Sequence, residues 1–309
     1  MAQSMRDAYW DKIYELAKED KDIVIVSADF GAPSLDKFRR DFPEQYINTG
    51  ISEQNAILLA TGLSLAGKKP IAYAITQFIT LRCFEQIRIY PCGMDLTVNI
   101  VGVGAGACYW ESGPTHHSFE QLSIMRTLPN LKIINCTDNH MAKEAAIFTI
   151  NSPGPKFIQL DREIIDGIYS DKIDFDKGFK YLTNKNKNIV ISTGNMTKEA
   201  VDILNNSELD FGIIDIYKFP VNITSLLEEL SGVKSIITLE EGVKEGGMGS
   251  YILEILSDSN IIIPVHRIAL NIYGGYTGSY NYGGREEIRK EYGMGKNDII
   301  HIIEREFNI

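Results

Sequence analysis

Short runs of β-branched and aliphatic residues recur along this chain, each followed by a segment with helical spacing. That alternation constrains the fold more than any other feature. Ile23-Val24-Ile25-Val26, Pro70-Ile71-Ala72-Tyr73-Ala74-Ile75, residues 96–103, Leu131-Lys132-Ile133-Ile134 and residues 155–160 read as strands. Continuous apolar runs of this length fit strands covered on both faces. Residues 5–20 place Tyr9, Ile13, Leu16 and Ala17 on one helical face; residues 119–128 and 140–150 also read as helices, the latter capped by Asp138. Strand and helix in alternation imply a parallel sheet with helices on both faces. Residues 162–187 break the pattern, being rich in Asp, Lys, Asn and Tyr. A second α/β pattern starts at Ile189-Val190-Ile191 and continues through Gly212-Ile213-Ile214-Asp215-Ile216, residues 235–240 and Ile261-Ile262-Ile263-Pro264-Val265. Residues 284–309 close it helically. The expected fold is α/β, two doubly wound domains with mainly parallel sheets: residues 1–165, a linker at 166–187, and residues 188–309.

A length of 309 residues suits two domains of ordinary size. The balance of 31 basic against 41 acidic residues, −10 net, excludes a basic face for nucleic acid or an anionic membrane. Cys83, Cys92, Cys108 and Cys136 form no close pairs of the zinc or redox kind, and their apolar surroundings imply buried free thiols in a reducing compartment. No apolar signal core opens the chain and no stretch reaches about 18 apolar residues, so a cytoplasmic protein is expected.

One helix stands out. Residues 52–67 are apolar or small at almost every position from Ala56 to Ala66, and a helix apolar all round is buried. Ser52 is placed to cap its start, Gly67 supplies a left-handed stop, and Lys68 and Lys69 suit its C-terminal dipole. Glu53 is then a carboxylate at the mouth of a buried helix. Near it in the pattern, Ser27-Ala28-Asp29 ends the first strand, where ligands of α/β sheets collect. Phe78 follows another strand end and offers a ring for stacking. His116 lies in a loop bounded by Gly113 and Pro114, where an imidazole can bond an oxyanion and move a proton near neutral pH.

Ile51-Ser52-Glu53-Gln54-Asn55-Ala56, Ser27-Ala28-Asp29 and Gly113-Pro114-Thr115-His116-His117 together resemble the transketolase family. The best match is the C-terminal half, pyrimidine-binding plus C-terminal domain, of a transketolase made as two chains. The resemblance spans nearly the whole chain and is strongest in its first half. It implies thiamine diphosphate as cofactor, with Glu53 holding the aminopyrimidine ring nitrogen and sharing a proton with it. A buried Glu, its charge disfavoured by desolvation, suits that task. The resemblance also implies cofactor contacts from Phe78, Asp29 and the motif's Ile51. The family's next aromatic or arginine falls on Leu81, with Arg82 beside it. His116 inherits contact with the substrate oxygens, and His117 stands where the family often has Gln.

Departures from the family are equally specific. The Asp that reads the acceptor hydroxyl is replaced by Ser112, with Glu111 one residue earlier. Of four phosphate-side residues, those corresponding to Gly104 and a position near Asn135 are missing, while Arg6 and Ser34 fall at the other two. A phosphate wants several donors together. An acceptor larger than usual, or unphosphorylated, is therefore expected. The Gly-Asp-Gly motif that holds the diphosphate through Mg²⁺ does not occur, and no candidate oxygen-ligand set for magnesium is visible. The resemblance thus implies a second, diphosphate-binding subunit carrying the Mg²⁺ ligands, an α2β2 assembly, and no activity for this chain alone.

The reaction expected is transfer of a two-carbon ketol unit from a ketose donor to an aldehyde acceptor. A 2-oxo acid dehydrogenase β subunit shares the two-domain plan, but Ser27-Ala28-Asp29 and Gly113-Pro114-Thr115-His116 favour the transketolase reading. Deoxyxylulose-phosphate synthases share Arg82-Cys83-Phe84-Glu85-Gln86 in outline. A partner-binding subunit without activity is the remaining alternative, against which Glu53 and His116 argue.

Overall fold

The apolar runs of the first half become strands β1 (Ile23–Ser27), β2 (Tyr46–Asn48), β3 (Lys69–Ile75), β4 (Asn99–Val103), β5 (Lys132–Asn135) and β6 (Lys156–Leu160) in a computed structural model that describes residues 3–165 and 167–309. They pair in the order β5-β6-β4-β3-β1-β2, and every pairing among them is parallel. β1, β4 and β6 are buried along their whole length, as continuous apolar runs demand. The connecting helices are α1 (Met5–Glu19), α2 (Pro33–Asp41), α3 (Glu53–Leu65), α4 (Thr76–Thr80), α5 (Phe84–Ile87), α6 (Gln121–Met125) and α7 (Asn139–Asn151). α1 packs on α7 through its buried face, and Tyr9 Oη donates to Thr149 Oγ1 at 3.1 Å. Trp10 stands edge-on to both Tyr9 and Tyr73, with ring centroids 5.2 and 4.6 Å apart. Such contacts add to simple area burial.

The second half forms β7 (Phe179–Tyr181), β8 (Asn188–Ser192), β9 (Gly212–Ile216), the two-residue β10 (Lys218–Phe219), β11 (Ser235–Val243) and β12 (Val265–Leu270). Five of these make a sheet in the order β12-β11-β8-β9-β7, parallel except where β7 meets β9. Its helices are α8 (Asn195–Asn205), α9 (Ile223–Glu229), α10 (Met248–Asp258), α11 (Arg285–Glu291) and α12 (Lys296–Phe307). The chain separates into two compact units. One runs to Ala105 and resumes over Ile124–Ile173; the other joins Gly106–Ser123 to Asp174–Ile309. The loop bearing His116 therefore belongs with the second unit, although it lies within the first half of the sequence. None of the described helices is long and apolar enough to cross a membrane. All four cysteines are buried and none is joined in a disulfide among the described residues; burial pushes the Cys83 and Cys92 thiols up to about 12.

Several expectations need correction. Ser52 sits at the N-cap position of α3, but its hydroxyl donates to Thr49 O at 2.7 Å and caps no backbone N–H. α3 is not buried all round: Leu58 and Leu65 are 42% and 60% exposed, on the face that also carries exposed Gly62. Within the segment expected to be a linker, Phe179–Tyr181 adds an antiparallel edge strand to the second sheet. The run at 261–265 is not a strand; the strand starts at Val265 and includes His266 and Arg267. β12 is an edge strand, so polar residues are tolerated there, and this hid it from an apolar pattern. Residues 119–128 are helical only over Gln121–Met125.

Lys156 opens β6 fully buried, its Nζ donating to Gly154 O at 2.8 Å. Burial, with help from nearby Lys132, pushes its pKa down to about 7 from 10.5. The unfolded chain therefore binds more protons between about pH 7 and 10.5, and stability rises with pH across that window. Lys156→Met should raise the melting temperature clearly at pH 6.5 and much less at pH 9.5, as read by thermal denaturation. An equal shift at both pH values would contradict this.

Candidate active site

The carboxyl ends of β1, β2 and β3 and the start of α3 gather most of the expected residues of the first unit. Glu53, first residue of α3, is 3% exposed. Its Oε2 accepts from Arg82 Nη1 at 2.7 Å. The Arg82 guanidinium lies 4.5 Å from the centroid of the Phe78 ring. Glu53, Arg82 and Phe78 are thus one cluster. Gln54 Nε2 holds the Arg82 carbonyl at 3.1 Å, which fixes the 81–83 turn against α3. Gly102 on β4 makes room for α4: a Cβ there would stand 2.6 Å from Thr76 Oγ1 and 2.9 Å from Thr76 Cα. Only glycine lets the turn that carries Phe78 sit so close to the sheet.

Asp29, two residues past β1, has φ +52°, a left-handed conformation that Asp tolerates better than most residues. Asn48 holds it from both sides: Asp29 N donates to Asn48 Oδ1 and Asn48 Nδ2 donates to Asp29 Oδ1, both at 3.2 Å. Asn48 Oδ1 also accepts from Gly50 N at 2.9 Å, which ties the turn of Asp29 to the motif before α3. Sequence reasoning misses Asn48, because a strand-end Asn carries no motif of its own. Ile51 is 81% exposed at the tip of that motif. Arg6 and Ser34 both meet Asp7: Arg6 Nε and Nη2 donate to its carboxylate at 3.1 and 3.2 Å, and Ser34 Oγ reaches its carbonyl at 3.4 Å.

The second unit carries His116. Its Nδ1 is 2.9 Å from Thr115 Oγ1, and its ring lies 6.2 Å from that of Tyr109. Partial burial lowers its pKa, and Glu111 works against that shift. Ser112 ends a short turn over Trp110–Ser112 and is exposed. Gly113 follows with φ +72°, and a Cβ there would stand 2.7 Å from Tyr282 Oη. His117 is buried, with the Tyr109 backbone beside its ring. Burial drives its pKa down to about 4 against the pull of the Glu241 carboxylate. Among the described residues, no group of three His, Cys, Asp or Glu side chains converges as a metal site.

Ligands of parallel α/β sheets collect at strand carboxyl ends, and the Glu53 cluster lies there. The class defined is an α/β enzyme chain with a strand-end site. Family comparison narrows it. The model described as transketolase, pyrimidine binding domain, matches residues 1–166, and that of the transketolase C-terminal domain matches residues 179–299. The chain belongs to the transketolase family. A subunit of the apulose-4-phosphate transketolase of Phocaeicola vulgatus is 28% identical over 309 residues, covering 97% of each chain. A solved structure described as a split-gene transketolase, an inactive β4 tetramer, superposes with a TM-score of 0.85 at 28% identity, covering 99% of this chain and 98% of that one. 1-deoxy-D-xylulose-5-phosphate synthase of Fusobacterium nucleatum is 31% identical, but the 97% of this chain that aligns covers 50% of that protein.

The shift at His117 has a measurable consequence. The unfolded histidine takes a proton near its usual 6.5, whereas the folded one resists until about 4. Stability is therefore lost as pH falls through that window. In His117→Gln the urea midpoint should drop less between pH 7 and 5 than in the unaltered chain. Parallel losses in both proteins would show that His117 carries no such shift.

Proposed function

We propose that this chain is the pyrimidine-binding subunit of a split, thiamine-diphosphate-dependent transketolase. In this reading the enzyme moves a two-carbon ketol unit from a ketose to an aldehyde. The observation that carries it is the buried Glu53 carboxylate at the start of α3, with Phe78 and Arg82 beside it. These residues fit the pyrimidine half of the cofactor. A buried acid can share a proton with a ring nitrogen, an aromatic ring can stack on a heteroaromatic one, and the side-chain oxygens of Gln77 and Gln86 are buried without partners among the described residues. The cofactor, when bound, supplies a carbon nucleophile and an electron sink. Glu53 holds and moves a proton at the pyrimidine, Asn48 keeps Asp29 in place at the strand end, and His116 bonds the substrate oxygens. Residues 1–165 form the cofactor-binding domain in this reading, and residues 188–309 the C-terminal domain.

The diphosphate and its Mg²⁺ fall to a second subunit in an α2β2 enzyme, which we place in the cytoplasm. The exposed face of α3 supports such a partner. Leu58 and Leu65 recur along it with small Gly62 between them, Ile51 is exposed just before it, and Ile89, Tyr90 and Met94 are exposed on and just after the adjacent turn at Arg88–Cys92. An apolar patch of this kind marks a protein interface. The full-length match to one subunit of a transketolase, and the self-assembled state named for the split-gene structure, support a chain built to associate. The acceptor is one without a phosphate, or larger than usual. Asp7 already engages Nε and Nη2 of the Arg6 guanidinium, which places a negative charge where an incoming dianion would bind.

Three outcomes follow. Turnover should require the diphosphate-binding partner, and Glu53→Gln in that complex should lower kcat by about 100-fold or more, the scale of a lost acid–base group. Full turnover by Glu53→Gln would end this reading. Leu58→Asp should abolish complex formation in light scattering without unfolding the chain; an intact complex would place the interface elsewhere. Kinetics with paired acceptors should favour the unphosphorylated one, and a strong preference for phosphorylated acceptors, such as the name of the Phocaeicola relative suggests for that enzyme, would refute the acceptor assignment.

A further inference from the structure

The loop that carries His116 is gripped at its base by the end of β11. Glu241 Oε2 accepts from Ala107 N at 3.3 Å, and two residues on, Val243 N donates to Phe119 O at 2.9 Å. Ala107 and Phe119 lie on opposite sides of that base. The bridge between Gly106 and Ser118 closes it, with Ser118 N donating to Gly106 O at 2.9 Å. His116 stands two residues before Ser118, and its own N–H bonds Gly113 O at 3.0 Å.

Glu241 is itself fixed. Arg285 Nε donates to its Oε1 and Oε2 at 3.0 and 3.1 Å, and Arg289 Nε donates to Oε1 at 2.7 Å. Asn195 Nδ2 reaches Oε2 at 3.4 Å. Desolvation would raise the pKa of this buried acid, but the two guanidinium groups hold it at about 2. The loop backbone comes unusually close. Gly106 has φ +54°, and a Cβ there would stand 1.8 Å from Glu241 Oε2. The arginines alone could satisfy the carboxylate. The Ala107 bond and the demand for glycine at 106 are what couple it to the loop.

We propose that Glu241 is a positioning residue: its carboxylate, clamped by Arg285 and Arg289, sets the base of the 106–119 loop and through it the place of His116. The proposal rests on the role given to His116 above, and the test separates the two. Glu241→Asp keeps a negative charge between the arginines and withdraws it from Ala107 by one methylene. Glu241→Ala removes both, and takes the carboxylate away from buried Arg285 and partly buried Arg289, which can unfold the domain.

Amide exchange on the full-length Asp variant should be about tenfold faster at Ala107, Gly113 and residues 115–119, the scale of one lost hydrogen bond, and within about twofold of the parent in β8 and β9. In the complex with the diphosphate-binding partner, Glu241→Asp should lower kcat about tenfold and leave the thiamine diphosphate Kd unchanged, with Glu241→Ala worse where it folds. Uniformly faster exchange throughout the second unit would make Glu241 a plain structural residue and overturn the proposal. So would an unaltered loop. If His116→Ala loses activity while Glu241→Asp keeps its kcat and KM, the clamp is overturned alone. If both variants keep full activity, the role of His116 falls with it.

Discussion

Removing a carboxylate from water costs on the order of several kcal/mol unless something compensates, and Glu53 is so removed. The compensation is local. Glu53 opens α3, where free backbone N–H groups and the helix dipole favour an anion, and Arg82 supplies one charge-assisted hydrogen bond. Arg82 is itself about half exposed, its side chain 45% accessible, so the pair is not sealed. Much of the first unit serves this arrangement. β1 and β3 deliver the strand ends, Gly102 admits the turn bearing Phe78, and Asn48 joins the Asp29 turn to the motif that leads into α3.

The second unit has a different task. It owns the loop of Gly113-Pro114-Thr115-His116, although the sequence places that loop between strands of the first unit. Its core takes in Ala107 and Phe119 from the loop base, beside residues of β8, β9, β11 and β12. A histidine on a long loop would otherwise sample many positions, and a misplacement of about 1 Å can cost a large factor in rate. Bonds from two residues of β11 restrain both sides of the loop base. The same packing buries His117 and pushes its pKa down.

The sequence made both sheets legible because buried parallel strands are written as continuous apolar runs. It failed where that rule does not apply. β12 and β7 are edge strands that carry polar residues, so an apolar pattern displaces the first by several positions and merges the second into a linker. Glu53, Phe78 and Arg82 were legible as separate residues, but their meeting depends on a turn at 81–83 that no periodicity encodes. Asp7 at Arg6, Asn48 at Asp29 and Glu241 at Ala107 were invisible for the same reason. Each is a polar residue whose meaning comes only from the backbone brought to it. The exposed side of α3 was not legible because an apolar composition does not say which face of a helix meets solvent.

Exchange of the C2 proton of bound thiamine diphosphate for deuterium reports directly on whether a carboxylate at position 53 moves a proton at the pyrimidine. Measured by quenched-flow NMR on the reconstituted complex, the exchange rate should fall by about 100-fold or more in Glu53→Gln while the cofactor stays bound. An exchange rate equal to that of the unaltered complex, with cofactor bound, would contradict the role of Glu53.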